Sequence, residues 1–89
     1  MKAIVTVIGE DRVGIIAGVC VDLAAFNVNV LDINQTVMQG YFTMMMVVEV
    51  SQSTVPVAEL AKAMEDKGKE MELSIRLQRE DIFEAMHRV

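Results

Sequence analysis

The hydrophobic period of this sequence switches between strand-like and helix-like in one order, and that order leaves few folds open. Residues 3–8 (AIVTVI) are a β-branched apolar run with Thr6 as its only polar member. Residues 15–26 then repeat Ile15, Ile16, Val19, Leu23 and Phe26 at helical spacing. Residues 28–38 (VNVLDINQTVM) and 41–50 (YFTMMMVVEV) alternate with period two. Helical spacing returns at Val57, Leu60, Ala61 and Met64, and residues 71–78 (MELSIRLQ) alternate once more. The order is β-α-β-β-α-β.

Strands that are apolar on both faces belong at the centre of a sheet, which fits residues 3–8 and 41–50. The half-polar runs suit the edges. In residues 28–38 alternation sets Leu31, Ile33 and Val37 on one face, and Val30, Asp32, Asn34 and Thr36 on the other. Residues 71–78 should turn Met71, Leu73, Ile75 and Leu77 inward. Gln39-Gly40 reads as a two-residue hairpin turn, and Asn27 as a left-handed helix terminator. Pro56 fits the first turn of the second helix, and Gly68, between Lys67 and Lys69, fits its end. Residues 80–89 (EDIFEAMHRV) place acids first and His87 and Arg88 last, as a short helix favours. Its Ile82, Phe83, Met86 and Val89 are too apolar for a free tail, so it should dock on the domain or on a partner copy. The expected fold is α+β and ferredoxin-like. Residues 1–79 form a four-stranded antiparallel sheet with two helices on one face, followed by a C-terminal helix over residues 80–89.

With 89 residues, a chain of this kind buries only roughly 60–65% of the surface its unfolded form exposes. Yet 53% of the residues are hydrophobic, with eight methionines and no tryptophan. That surplus points to a homodimer in which a second copy covers some of them. Gly14 and Gly18, one turn apart on the mostly apolar first helix, allow close approach either by the same chain or by that second copy. A formal charge of −5 argues against nucleic acid, whose binding needs a basic stripe. One cysteine forms no internal disulfide and suits a reducing compartment. The N-terminus shows no signal-peptide pattern and no apolar stretch reaches bilayer length, so the expected location is cytoplasmic.

Catalysis has little to stand on. Cys20 lies among apolar residues with no basic neighbour to lower its pKa, and the single histidine is in the tail. No metal-ligand spacing occurs, and no cofactor is expected. The methionines of residues 41–50 alternate at strand period and read as core filling. The informative stretch is residues 9–14 (GEDRVG), a glycine-bounded polar turn between strand and helix. One reading is a solvated turn in which Asp11 holds the loop and Arg12 is exposed. The other is a ligand cradle. Asp11 receives an ammonium, and the backbone N–H groups around Val13, Gly14 and Ile15, free at a helix start, receive a carboxylate. An amino acid presents both charges close together. The acidic Glu10-Asp11 pair disfavours a multiply charged anion such as a phosphate. Asn29, after the first helix, can supply further polar contacts.

These residues resemble the ACT domain, a small βαββαβ regulatory module. The resemblance is carried by Asp11-Arg12-Val13-Gly14-Ile15 after strand one, Asn27-Val28-Asn29-Val30 entering strand two and Tyr41-Phe42 opening strand three. The whole chain is similar to short free-standing bacterial and archaeal ACT proteins of uncharacterised role, related to the regulator of the glycine cleavage system. The resemblance implies a non-enzymatic sensor that binds an amino acid or similar metabolite at a homodimer interface. The site would take Gly9, Asp11, Arg12, Val13, Gly14 and Ile15 from one copy and Asn29 from its neighbour. It implies a response passed to a separate protein target. Some serine-binding members carry a histidine where this chain has Gly9, so serine is not singled out. The alternative is a protein-interaction module with no small ligand, docking through the first and terminal helices. An acylphosphatase-like enzyme shares the topology, but residues 9–14 depart from its phosphate-cradling arginine loop.

Overall fold

A computed structural model describes residues 1–10 and 12–82. Strands β1 (Lys2–Glu10), β2 (Asn29–Met38), β3 (Tyr41–Glu49) and β4 (Ser74–Arg79) alternate with helices α1 (Ile15–Ala25) and α2 (Val57–Glu70). The sheet order is β2-β3-β1-β4, with antiparallel pairing throughout. This is the ferredoxin-like arrangement expected from the order of periods, with β1 and β3 at the centre. Among the described residues no helix is long and apolar enough to cross a membrane.

One face of the sheet carries the core. Ala3, Val5 and Val7 of β1 stand level with Val48, Met46 and Met44 of β3 and with Leu77 and Ile75 of β4. Val19 and Leu23 of α1 and Leu60 and Met64 of α2 close over them, all fully buried. Each such side chain contributes on the order of 1.5–3 kcal/mol by leaving water. Met44 and Met46 fill core as their spacing predicts. Met45, between them, faces the other way and is exposed.

The helix ends are set by backbone geometry. After α1, Val28 N–H donates to the Leu23 carbonyl at 3.0 Å and Asn27 N–H to Ala24 at 2.9 Å, while Asn27 takes φ 60°. That is a Schellman motif, with Asn27 in its left-handed position as expected. After α2 the same motif recurs one turn later than the sequence indicates. Leu73 N–H donates to the Gly68 carbonyl at 2.7 Å and Glu72 N–H to Lys69 at 3.2 Å, and Glu72, not a glycine, takes φ 58°. Gly68 is therefore inside the helix. A Cβ there would lie 2.8 Å from the Leu73 carbonyl oxygen and 2.9 Å from Ile75 Cγ1. It is a glycine because β4 passes that close, not because the helix stops.

Other boundaries move for related reasons. Met71, expected in β4, is the last cap residue of α2 and packs against Gly18 of α1, so β4 begins at Ser74. The close approach at Gly18 thus lies within one chain. Pro56 precedes α2 instead of occupying its first turn, and its carbonyl accepts from Leu60 N–H at 2.9 Å. In β2 the strict alternation breaks: Val30 pairs with Val48 and Asp32 with Val47, leaving Leu31 as a bulge. The extra residue turns Val30 onto the same face as Ile33 and Val37, contrary to the simple period. β2 is the edge expected of it, but almost all of it is exposed. Residues 80–82 are helical; the rest of the expected terminal helix lies outside the described residues.

Candidate functional site

β1 carries the chain through Gly9 and Glu10 before it turns, two residues further than the apolar run suggests. Gly9 pairs with Phe42, and a Cβ on it would lie 2.4 Å from Leu73 Cδ2. Its role is to let Leu73 reach the core. Gly14 differs: it takes φ 90°, with nothing within 4 Å of where a Cβ would stand. It is the N-cap of α1, and it makes no side-chain cap hydrogen bond. The helix start at Ile15 therefore presents N–H groups that no side chain of the cap position satisfies.

Arg12 is exposed, and its guanidinium donates to the Met71 carbonyl. The loop is thereby tied to the end of α2, which packs beside it. Val13 is fully exposed and Ile15 is buried in the core. Asp11 lies outside the described residues. Gly9, Arg12, Val13, Gly14 and Ile15 thus share one end of the sheet.

Asn29 does not join them. It stands level with Glu49, whereas Gly9 stands level with Phe42. Seven residues along β3 separate the two levels, roughly 23 Å of strand. Nor does its side chain point toward the helices, because its partner Glu49 faces the opposite side of the sheet from Val48. The Glu49 carboxylate is engaged by the Met1 ammonium at 2.8 Å and by Ser51 Oγ at 3.2 Å. The ammonium's hydrogen bond, with its charge and the Ser51 contact, holds that carboxyl below its ordinary value.

The first turn of α1 instead faces the middle of β2. Arg12, Gly14, Ile16, Ala17, Gln35 and Val37 line an open hollow of about 310 Å³ floored by Ile15 and Phe42. Gln35 is the polar side chain that β2 adds there. Period two already sets it on the face of Ile33 and Val37; what the period does not carry is that this part of β2 lies beside the start of α1. The hollow opens onto the edge of β2, where among the described residues backbone N–H and C=O groups have no further strand partner. It combines helix-start amides that the N-cap residue leaves uncapped, an amide side chain and apolar walls, a lining suited to a small polar molecule. Among the described residues no cluster of three or more His, Cys, Asp or Glu could hold a metal.

The sequence pattern of the ACT domain matches residues 2–78. A UPF0237 protein of Listeria innocua is 49% identical over 89 residues, covering all of both chains. A UPF0237 protein of Clostridium acetobutylicum is 52% identical over 89 residues, again covering all of both. Among solved structures, an ACT domain protein from Streptococcus pneumoniae superposes with a TM-score of 0.83 at 44% identity, covering 98% of each chain.

Proposed function

The chain belongs to the ACT-domain family, and from that premise we propose that it is a non-enzymatic sensor of an amino acid or similar small metabolite. ACT domains are regulatory modules that generally bind small molecules and often dimerise. The observation that carries the reading is the hollow between the uncapped start of α1 and Gln35 on an unpaired sheet edge. The ligand carboxylate meets the N–H groups at Gly14 and Ile15, and Asp11 supplies the countercharge for the ammonium. Gln35 takes the place in β2 that the sequence assigned to Asn29.

A second copy walls the open side of the hollow by pairing its β2 antiparallel to the first about a two-fold near Ile33 and Asn34. That register brings the partner's Asn29 beside Met38, at the loop end of the sheet but on the face turned away from the helices. The exposed Leu31, Ile33 and Val37 of the edge support such pairing. Any response then passes to a separate protein.

Calorimetry against the proteinogenic amino acids tests the reading. Binding of one or a few in the micromolar to millimolar range is expected. Asp11→Ala should weaken it roughly ten- to a hundredfold, the loss of one charge-assisted hydrogen bond, and Gln35→Ala less. No heat from any amino acid at millimolar concentration overturns it.

A further inference from the structure

α1 is apolar on every side, whereas a helix at the surface of a small domain normally shows a polar one. Asp22 is its one charged residue. Ile15, Val19 and Leu23 fill the core, and Gly18 turns to Met71 at the end of α2. At 100° per residue the flank opposite Gly18 carries Ala17, Cys20 and Ala24, with Val13 one turn before them. Val13 is fully exposed, Ala17 and Ala24 are exposed, and Cys20 is half-buried. Steps of four, three and four residues are those of a seam along which one helix packs on another. We infer that this flank packs against the same flank of α1 in a second copy, about the two-fold that pairs the β2 edges.

Spacing, level and charge select that occupant. The start of α1 stands above β2 and β3, over Gln35, Val37 and Phe42. Strands lie about 4.8 Å apart, so pairing β2 with β2 sets the two α1 axes two strand spacings from each other. That is roughly 9.6 Å, within the span of about 8–10 Å at which helices pack. Small side chains such as alanine and cysteine fit that gap. Asp22 is on the far side of the helix, so no like charges meet across the axis. From the first turn of α1 to Cys20 the helix advances roughly 7 Å, the length of about two strand residues. Cys20 is therefore level with Ile33 and Asn34, where the axis passes, and it faces its own counterpart. With each Cα about 2.3 Å from its helix axis, the two Cα atoms stand about 5 Å apart, a separation that a disulfide spans. A side wall of the molecule measures about 34 × 20 Å, roughly 700 Å², close to the roughly 800 Å² per partner of a specific interface.

The helix contact rests on the β2 edge pairing, and cross-linking of the full chain separates the two. Cys20 is the one cysteine of the sequence. Oxidation by copper phenanthroline in air should convert most of the wild type to a disulfide-linked dimer. Asn34→Cys in a Cys20→Ser background sets a thiol on the other face of β2, and a short bis-maleimide should link it wherever the edges pair. Lys62→Cys in the same background, on the exposed side of α2, should link with neither reagent. Ala24→Arg, at an exposed position, should stay folded by circular dichroism and weaken the dimer at least tenfold in sedimentation equilibrium. Linkage through Asn34→Cys without linkage through Cys20 overturns the helix contact and leaves edge pairing standing. Linkage through neither overturns both, and linkage through Cys20 alone overturns the shared axis. An Ala24→Arg dimer as tight as wild type overturns the contact, as does a Lys62→Cys variant that links as readily as Cys20.

Discussion

At the residue scale, two glycines serve opposite purposes, and substitution should tell them apart. Gly14 has φ 90° with open space around it. An alanine there meets no neighbour but is held in the left-handed region, at a cost of roughly 1–2 kcal/mol. Gly68 is helical, where alanine is intrinsically better by roughly 1 kcal/mol. Its Cβ would nonetheless press on the Leu73 carbonyl at 2.8 Å, and overpacking against backbone costs roughly 1–3 kcal/mol. In urea denaturation both Gly14→Ala and Gly68→Ala should therefore be destabilised. Only Gly14→Ala should also alter binding at the hollow. A Gly68→Ala variant more stable than wild type would show that β4 yields. The Gly14 strain was readable from its place between strand and helix. The Gly68 contact was not, because it depends on how close β4 runs to α2.

At the element scale, the β2–β3 hairpin is joined by Gln39 and Gly40 with φ 50° and 84°, the pair of positive angles that a type I′ turn requires. Gly40 adopts this freely, whereas glutamine does so against its preference. Gln39→Asn should stabilise the protein by roughly 0.5–1 kcal/mol, seen as a raised thermal midpoint. The turn was legible in the sequence, being two residues between two alternating runs. What the alternation could not carry was the bulge at Leu31. One unpaired residue inverts every assignment on one side of it, so Val30 shares a face with Ile33 and Asn29 turns away from the helices. Period-two reading assumes an unbroken pleat, and an edge strand has a neighbour on one side only to enforce it.

At the scale of the whole molecule, acid stability depends on carboxylates held ionised by the fold. Asp81, where residues 80–82 begin a helix, receives two hydrogen bonds from Arg79, the shorter at 2.6 Å. The hydrogen bond from Arg79, with its charge and the Ile82 N–H, holds the carboxyl below its ordinary value, and the same pair raises Arg79. A folded pKa below the unfolded one adds stability above the unfolded value. That stability is lost as pH falls through the folded value. Asp81→Asn should therefore flatten the loss of stability below about pH 4, the ordinary carboxylate range, while leaving the remaining carboxylates to unfold the chain at lower pH. Both groups are exposed, so added salt should shrink the difference. Equilibrium unfolding followed from pH 6 to 2 measures it.

The order of hydrophobic periods by itself determined the sheet, its antiparallel sense and which strands are central, because a strand apolar on both faces has nowhere else to go. The residues between β1 and α1 also marked a glycine-bounded helix start, since a helix start exposes donors whatever packs around it. Tertiary structure alone decided the rest. It set Asn29 and the loop at opposite ends of the sheet, gave Gln35 its place beside the helix and split the five glycines into those that bend and those that make room. Sequence pattern reports the surroundings of a residue averaged over its own element. Distances between elements, and the one-residue shifts that choose a face, are fixed by side chains far along the chain meeting in space.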